Sequence, residues 1–207
     1  EKEKVARLHR KMAVILWREV GKTEQARENF EKALRILEAE PESIELAALY
    51  ASRASMSFFT EDITKARSWA EKALELAKKL NAFEGIASAY IDLGLVFGAA
   101  GERREAVECM EKALKIALDN GYVEVALRAY EHLAWELPAE ENERRLDYFE
   151  KGLELAKKVG HVQEISSFEG ALATRYFRMG NMDKASPLVE EYDALSRKIG
   201  NLFNLSV

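Results

Sequence analysis

The chain has 207 residues, of which 48% are hydrophobic and 32% are charged. This composition excludes a disordered or fibrous chain, because it supplies apolar surface for a core and charge for a solvated exterior. The formal net charge of -5 comes from interspersed acids and bases, so we expect neither a nucleic acid nor a membrane surface as partner. The single cysteine, Cys109, excludes an intramolecular disulfide and favours a cytoplasmic location.

Helix-forming residues dominate the chain, and only 3 prolines and 11 glycines interrupt it, which predicts an all-α fold. Apolar residues recur at helical spacing, and residues typical of helix ends separate these segments. Their order predicts five helical hairpins and the start of a further helix, over residues 4–41, 44–81, 83–121, 122–160, 162–200 and 201–207. One hairpin cannot bury both its faces, so we expect a single solenoid over residues 1–207.

The second helix of each predicted hairpin carries a recurring motif. It reads FEKAL at 30–34, AEKAL at 70–74, MEKAL at 110–114 and FEKGL at 149–153, with a weaker copy, VEEYD, at 189–193. Its small fourth residue stands at positions 33, 73, 113 and 152, and Tyr192 takes that place in the fifth copy. A fixed period of this length is typical of folds built from stacked units.

The third predicted hairpin carries the clearest signature. Its first helix has an aromatic, a leucine, a small residue and a second aromatic, and its second helix has small and apolar residues, at Tyr90, Leu93, Gly94, Phe97, Ala106, Met110 and Ala113. The chain thereby resembles the tetratricopeptide-repeat family, in the form with a period near 40 residues found in multidomain prokaryotic signalling and regulatory proteins. The resemblance implies a right-handed α-α superhelix whose small residues let paired helices approach closely.

Two hairpins depart from this pattern. The fourth carries Arg145 where the others have alanine, and we expect that hairpin to be splayed or shifted by a residue. In the fifth, Pro187 falls inside the second helix, where it should kink the helix or delay its start to Ser186.

Few side chains could carry chemistry. The reactive candidates are His9, His132, His161 and Cys109, and none has a motif partner. The sequence also contains no phosphate-binding glycine loop and no nucleophile elbow. We therefore expect no catalytic residues, no metal site and no cofactor.

The resemblance implies a concave groove formed by the first helices of the hairpins. Its predicted lining is mostly apolar or small, and comprises Ile15, Arg18, Ala51, Ser55, Phe58, Ser88, Ile91, Leu95, Leu127, Tyr130, Ala134 and Phe177. The positively charged and amide residues with which some family members grip a carboxylate are missing. Exposed apolar surface of this kind generally marks a contact site, so an amphipathic helix or an extended peptide is the expected occupant.

Three functions remain open at this point. The first is a non-catalytic scaffold or sensor arm of a larger signalling protein that binds a protein or peptide in the groove. The second is a receptor for a short signalling peptide or small ligand in a transcription regulator, with a closed groove. The third is a structural spacer or self-association arm. Both ends are expected to be cut from a longer chain, and the apolar Leu202, Phe203, Leu205 and Val207 would then promote self-association.

Overall fold

The computed structural model describes residues 1–18, 20–60 and 62–204, with side chains placed through residue 197. These ranges hold ten α-helices and a one-turn 3₁₀ helix, Ala139–Glu141, and no strand. The α-helices are α1 Lys2–Arg18, α2 Thr23–Glu38, α3 Ile44–Thr60, α4 Ile63–Lys79, α5 Phe83–Ala99, α6 Arg103–Asn120, α7 Val123–Glu136, α8 Asn142–Val159, α9 Val162–Arg178 and α10 Met182–Asn204. The prediction of an all-α fold of repeated hairpins is confirmed.

The C-terminal helix differs from the prediction in two ways. Residues 201–204 continue α10, so the prediction that a further helix starts there is wrong, and residues 205–207 lie outside the described residues. Pro187 neither ends α10 nor delays its start to Ser186, because the helix begins at Met182. Pro187 is the sixth residue of α10, so its missing N–H removes one backbone hydrogen bond, to the carbonyl of Asp183 in the first turn.

The chain divides into two compact units, Glu1–Val125 and Ala126–Val207. The boundary lies within α7, the first helix of the fourth hairpin. In the first unit α1 pairs with α2, α3 with α4 and α5 with α6, and in the second α9 pairs with α10. The expectation of one continuous solenoid over residues 1–207 stays a prediction.

Small residues allow the paired helices of a hairpin to approach closely. Ala26, Ala66 and Ala106 are fully buried, one in each second helix of the first unit. A Cβ atom at Gly94 would lie 2.7 Å from Cγ of Met110, so α5 reaches α6 only because this residue has no side chain. The predicted role of small residues in pairing the helices is confirmed for this hairpin.

Successive hairpins of the first unit stack through one face of each first helix. We call this the stacking face, and in both α3 and α5 it is buried, at Leu46, Leu49, Arg53, Met56, Ile86, Ala89, Leu93 and Val96. Leu46, Leu49 and Met56 share a core cluster with Phe30, Ala33 and Leu37 of α2. Arg53 is its one polar member, and its guanidinium lies over the rings of Phe30 and Trp69.

The turn between α1 and α2 is one residue longer than the turn between α5 and α6 and the turn between α9 and α10. The amide of Lys22 donates to the carbonyl of Leu16, six positions earlier. The amide of Glu102 donates to Phe97, and that of Asn181 to Tyr176, each only five positions earlier. The residue of α1 that corresponds to a given residue of α3 or α5 therefore lies one position earlier in α1 than the repeat period alone would place it.

The fourth hairpin is built around an arginine and a glycine. Arg145 is buried, and its Nε atom donates to the carbonyl of Ala134 at 3.1 Å, so the arginine joins α8 to α7 where other hairpins place an alanine. Gly152 faces the buried ring of Phe168 on α9, and a Cβ atom at Gly152 would overlap that ring. Glycine at the motif position that is alanine in the first three repeats makes room for phenylalanine on the next helix.

Gly152→Ala should destabilise the chain by about 1–2 kcal/mol, because overpacking against Phe168 outweighs the helix propensity gained. Phe168→Leu in that background should show favourable coupling of at least ~0.5 kcal/mol, since the smaller residue removes the overlap. Urea denaturation of the single and double variants measures both terms. Gly170→Ala is the matched control, because its Cβ would meet only the exposed ring of Tyr192 at 3.3 Å. Equal effects of the two glycine changes would contradict the packing argument.

Candidate functional site

The reactive side chains are dispersed and each has a structural setting. His9 Nδ1 lies 2.9 Å from Asn29 Oδ1, and His161 Nδ1 accepts a hydrogen bond from the amide of Glu164 at the start of α9. Burial raises the pKa of Cys109, so its thiol stays protonated and poorly nucleophilic. Across residues 1–18, 20–60 and 62–204, no three His, Cys, Asp or Glu side chains are grouped to hold a metal. No helix within the same ranges is long and apolar enough to cross a membrane.

His132 of α7 is the histidine most affected by its surroundings. Burial, with a smaller contribution from Arg128, lowers the pKa of His132 from 6.5 to about 4. The folded state therefore favours neutral imidazole, and the resulting stability is present above the unfolded-state pKa near 6.5. It is lost as the pH falls towards 4, because the unfolded chain then binds a proton that the folded chain does not.

His132→Gln should flatten the acid limb of the stability profile. Between pH 7 and pH 4.5 we expect the wild-type chain to lose about 2–3 kcal/mol more unfolding free energy than the variant, the value that this pKa difference implies. Urea denaturation at half-unit pH steps gives both profiles. Parallel profiles for wild type and His132→Gln would show that His132 titrates normally.

A row of polar side chains joins the first helices of the first unit. Arg7 Nε and Arg10 Nε donate to the two carboxylate oxygens of Glu45 at 2.8 and 2.6 Å, and Glu45 is only 4% exposed. Further along, Ser55 Oγ donates to Asp92 Oδ1 at 3.3 Å. These groups use their charge and hydrogen-bonding capacity on one another, so this part of the first-helix surface is polar and internally paired.

The predicted groove residues fall into three groups. Ala51, Ser55, Phe58, Ser88 and Leu95 are half-buried on α3 and α5, and their place in a groove stays a prediction. Ile15, Arg18 and Phe177 are exposed. The remaining four are at most 7% exposed, so the prediction that they line an accessible groove is wrong: Ile91, Leu127, Tyr130 and Ala134.

The errors in α7 come from a slip of one residue. Tyr130 and Ala134 occupy the signature positions of Tyr90 and Gly94, which pack into the hairpin. The accessible side of α7 lies one residue later, at Arg128, Glu131 and Trp135, and Ser167 Oγ of α9 donates to Glu131 Oε1 at 3.1 Å. The motif of the fourth repeat, at position 152, comes one residue sooner after position 113 than the earlier steps of the repeat would place it. The missing residue is therefore lost after α7, in the irregular turn before α8. Ile91 is buried for another reason, since α5 contacts α3, α4 and α6.

The longer turn after α1 shifts its accessible side as well. Ile15 stands at the position of Met56 in α3 and Val96 in α5, so it belongs to the side of α1 that matches their stacking faces. The residue of α1 that matches Phe58 is Trp17, which periodicity alone placed one position later, at Arg18. Turn length is not visible in the apolar pattern, so sequence reasoning missed Trp17.

An aromatic cluster lies at the carboxyl ends of α1 and α3. The ring centroids of Trp17 and Phe59 are 5.8 Å apart, and those of Phe58 and Phe59 are 5.0 Å apart in an edge-to-face arrangement. The guanidinium of Arg18 stacks 5.1 Å from the ring of Trp17. Phe59 is 66% exposed. We call these four residues the aromatic patch. Two of them, Arg18 and Phe58, are among the groove residues predicted from the sequence. The adjacent pair of phenylalanines was the sequence signal that could have identified Phe59 as well.

The second unit contains a separate open cleft between α9 and α10. It has a volume of about 690 Å³ and a mixed polar and apolar wall, lined by Gln163, Ser166, Ser167, Gly170, Ala173, Thr174, Val189 and Tyr192. The wall carries no charged group, so it can offer hydrogen bonds to a neutral polar ligand.

The sequence of the chain matches one protein family. The sequence model of the tetratricopeptide repeat matches residues 4–79 and 45–119, which together span more than half of the chain. A search of curated proteins found no match.

Solved structures similar to this chain show the same fold. Aspartyl phosphate phosphatase F from Bacillus subtilis is 17% identical with a TM-score of 0.77, over 98% of this chain and 55% of that protein. A Rap protein complexed with competence and sporulation factor is 16% identical with a TM-score of 0.74, over 97% and 66%. A signal transduction ATPase with a tetratricopeptide repeat sensor, from Pyrococcus horikoshii, is 24% identical with a TM-score of 0.69, over 94% and 32%.

The chain thus spans about half of the length of the phosphatase and a third of the ATPase. At these identities the likeness establishes the fold and no shared activity.

Proposed function

The chain belongs to the tetratricopeptide-repeat family, and we propose that it is a non-catalytic module that binds a protein or peptide on the aromatic patch of its first unit. Members of this family generally act as binding scaffolds. The dispersed histidines and the buried thiol of Cys109 agree with a binding role. The similarity to an ATPase with a repeat sensor supports a place as the sensor arm of a larger cytoplasmic signalling protein.

The observation that carries this proposal is the exposure of the aromatic patch. A phenylalanine that is 66% exposed beside a tryptophan and an arginine has the composition of an interaction hot spot. Phe58 and Trp17 hold Phe59 from two sides, so little side-chain freedom is lost when a partner covers it. Binding here would remove apolar surface from water, which favours the complex by about 25 cal/mol for each Å² buried.

The surroundings of the patch define the partner's chemistry. The guanidinium of Arg18 is exposed at one edge, which favours an acidic side chain of the partner there. Arg7 and Arg10 are paired with Glu45, and Arg7 also bonds Glu3, so neither is free to hold a carboxylate. The best ligand is therefore a segment with an aromatic or aliphatic anchor for the patch and an acidic residue next to it.

A random-peptide display screen on the immobilised chain tests this proposal. Enriched peptides should combine an apolar anchor with an adjacent Asp or Glu, and Phe59→Ser should weaken their binding at least ~10-fold by calorimetry, as expected when a hot-spot residue is removed. Phe83→Ser is the matched control, because Phe83 is 50% exposed on α5 outside the patch and its loss should leave affinity unchanged.

Two results would count against the proposal. If enriched peptides bind Phe59→Ser as tightly as the wild type, the patch is not the binding site. If no peptide is enriched over a bare support, the case for a peptide-binding module fails.

A second candidate is a receptor for a short peptide or small polar ligand, favoured by the uncharged cleft between α9 and α10. The similar Rap structure, which holds competence and sporulation factor, lends this reading support from another protein. Thr174 is exposed in the cleft wall, and Thr174→Arg would fill the space. Ligands of this class should lose binding on Thr174→Arg and keep it on Phe59→Ser, which is the opposite of the pattern expected for the patch.

A further inference from the structure

A tryptophan and an arginine stack on the surface of the second unit. The guanidinium carbon of Arg175 on α9 lies 5.2 Å from the ring centroid of Trp135 on α7. Trp135 is 51% exposed, and its ring meets the buried ring of Phe149 edge to face at a centroid distance of 5.3 Å. The tryptophan is therefore held by two neighbours while about half of its surface stays open to solvent.

Access to this edge of a first helix is a property of the repeat position. In α3 the residue that matches Trp135 is Ser55, and the residue that matches Arg178 of α9 is Phe59. Ser55 is half-buried and Phe59 is 66% exposed, although α5 packs on α3 as the next first helix. A following hairpin thus leaves the carboxyl end of a first helix accessible, so the surface at Trp135 and Arg178 does not depend on a missing neighbour.

The charges that act on Arg175 are all positive. Burial, with smaller contributions from the charges of Arg145 and Arg178, lowers the pKa of Arg175, and no carboxylate of the described residues acts on it. Arg178 is exposed, one turn later on α9, and forms no ion pair within the part of the chain that the structure describes. Arg145 is buried, and its Nε atom donates to the carbonyl of Ala134, next to Trp135. Three guanidinium groups therefore gather at this place.

Other arginines that stack on rings have an acidic partner. Arg67 and Arg144 each lie over an aromatic ring. Arg67 Nε donates to Glu71 Oε1 at 3.0 Å, and Arg144 Nη1 donates to Glu141 Oε2 at 2.7 Å. In a chain with a net charge of -5, a positive cluster around Arg175 without a carboxylate of its own fits an anion supplied from outside.

We propose that the second unit binds a phosphate monoester, carried by a phosphorylated side chain of a partner polypeptide, between Arg175 and Arg178 beside Trp135. Guanidinium groups donate paired N–H bonds to phosphate oxygens, and a phosphate monoester carries about two negative charges at neutral pH. Two guanidinium groups without an acidic partner match that charge better than the single charge of a carboxylate. The open part of the Trp135 ring packs against the rest of the phosphorylated side chain.

The site is held in place before a ligand arrives. Asn142 Nδ2 at the start of α8 lies 3.1 Å from Sδ of Met179, the residue after Arg178, which fixes the carboxyl end of α9. Arg145 stays beneath the surface and adds positive potential without contacting the ligand. Little ordering is then required on binding. The site shares no residue with the aromatic patch or with the wall of the cleft, so this inference is independent of both.

Binding of three small probes to the full chain tests the proposal by ligand-detected nuclear magnetic resonance. Phenyl phosphate should bind at least ~10-fold more tightly than benzoate, which offers the same ring with a carboxylate, and more tightly than inorganic phosphate, which has no ring. Arg175→Gln and Arg178→Gln should each weaken binding of phenyl phosphate by ~10-fold, the effect of losing a charged hydrogen bond. Arg35→Gln is the matched control, because Arg35 is exposed on α2 and forms no ion pair with a described residue.

Salt separates a binding role from a packing role for the arginines. Affinity for phenyl phosphate should fall as salt is raised from about 0.02 M to about 0.3 M, since exposed charges are screened over this range. The proposal is overturned if benzoate binds as tightly as phenyl phosphate, or if Arg178→Gln binds phenyl phosphate like the wild type. Equal affinity for inorganic phosphate would show a site for a free anion and would overturn the assignment to a side chain. Arg178 is exposed, so its variant decides the question even if Arg175→Gln does not fold.

Discussion

The contact between a second helix and the first helix of the next hairpin is the constraint on which the structure depends. A hairpin buries one face between its own helices and needs a neighbour for the other. Where the neighbour offers Leu49, the second helix presents Ala33, and where it offers Phe168, the second helix presents Gly152. A large side chain on one helix thus faces a small residue on the other, because the interior has no spare volume.

This constraint also decides where surface remains for partners. Interior stacking faces use their apolar side chains on neighbouring hairpins, and the polar row of Arg7, Arg10 and Glu45 satisfies itself. Apolar side chains are exposed on α1, at Leu8, on α10, at Val189, and near the carboxyl end of α3, at Phe59. In the first unit the first helices thus carry a polar row, and aromatic residues lie near the carboxyl ends of α1 and α3.

The site was predicted less well than the fold, and the reason is geometric. Successive residues of a helix differ by about 100° in direction, so an error of one position exchanges an exposed side chain for a buried one. The repeat period placed Tyr130 on the surface and Ile15 in a groove. In the structure Tyr130 is buried beside Tyr148, and Ile15 lies on a stacking face. Both errors trace to turns of unusual length, before α2 and before α8.

The sequence by itself determined the all-α class, the hairpin repeat and the small residues at close contacts. Each of these follows from a periodic pattern that a stacked core imposes on every repeat. Only the tertiary structure decided which side of each helix is free, because that depends on turn lengths and on the presence of a neighbour. Leu8 and Leu49 are alike in sequence and stand at the same repeat position. One is 68% exposed and the other fully buried, since Leu49 packs with Phe30, Ala33 and Leu37 of α2.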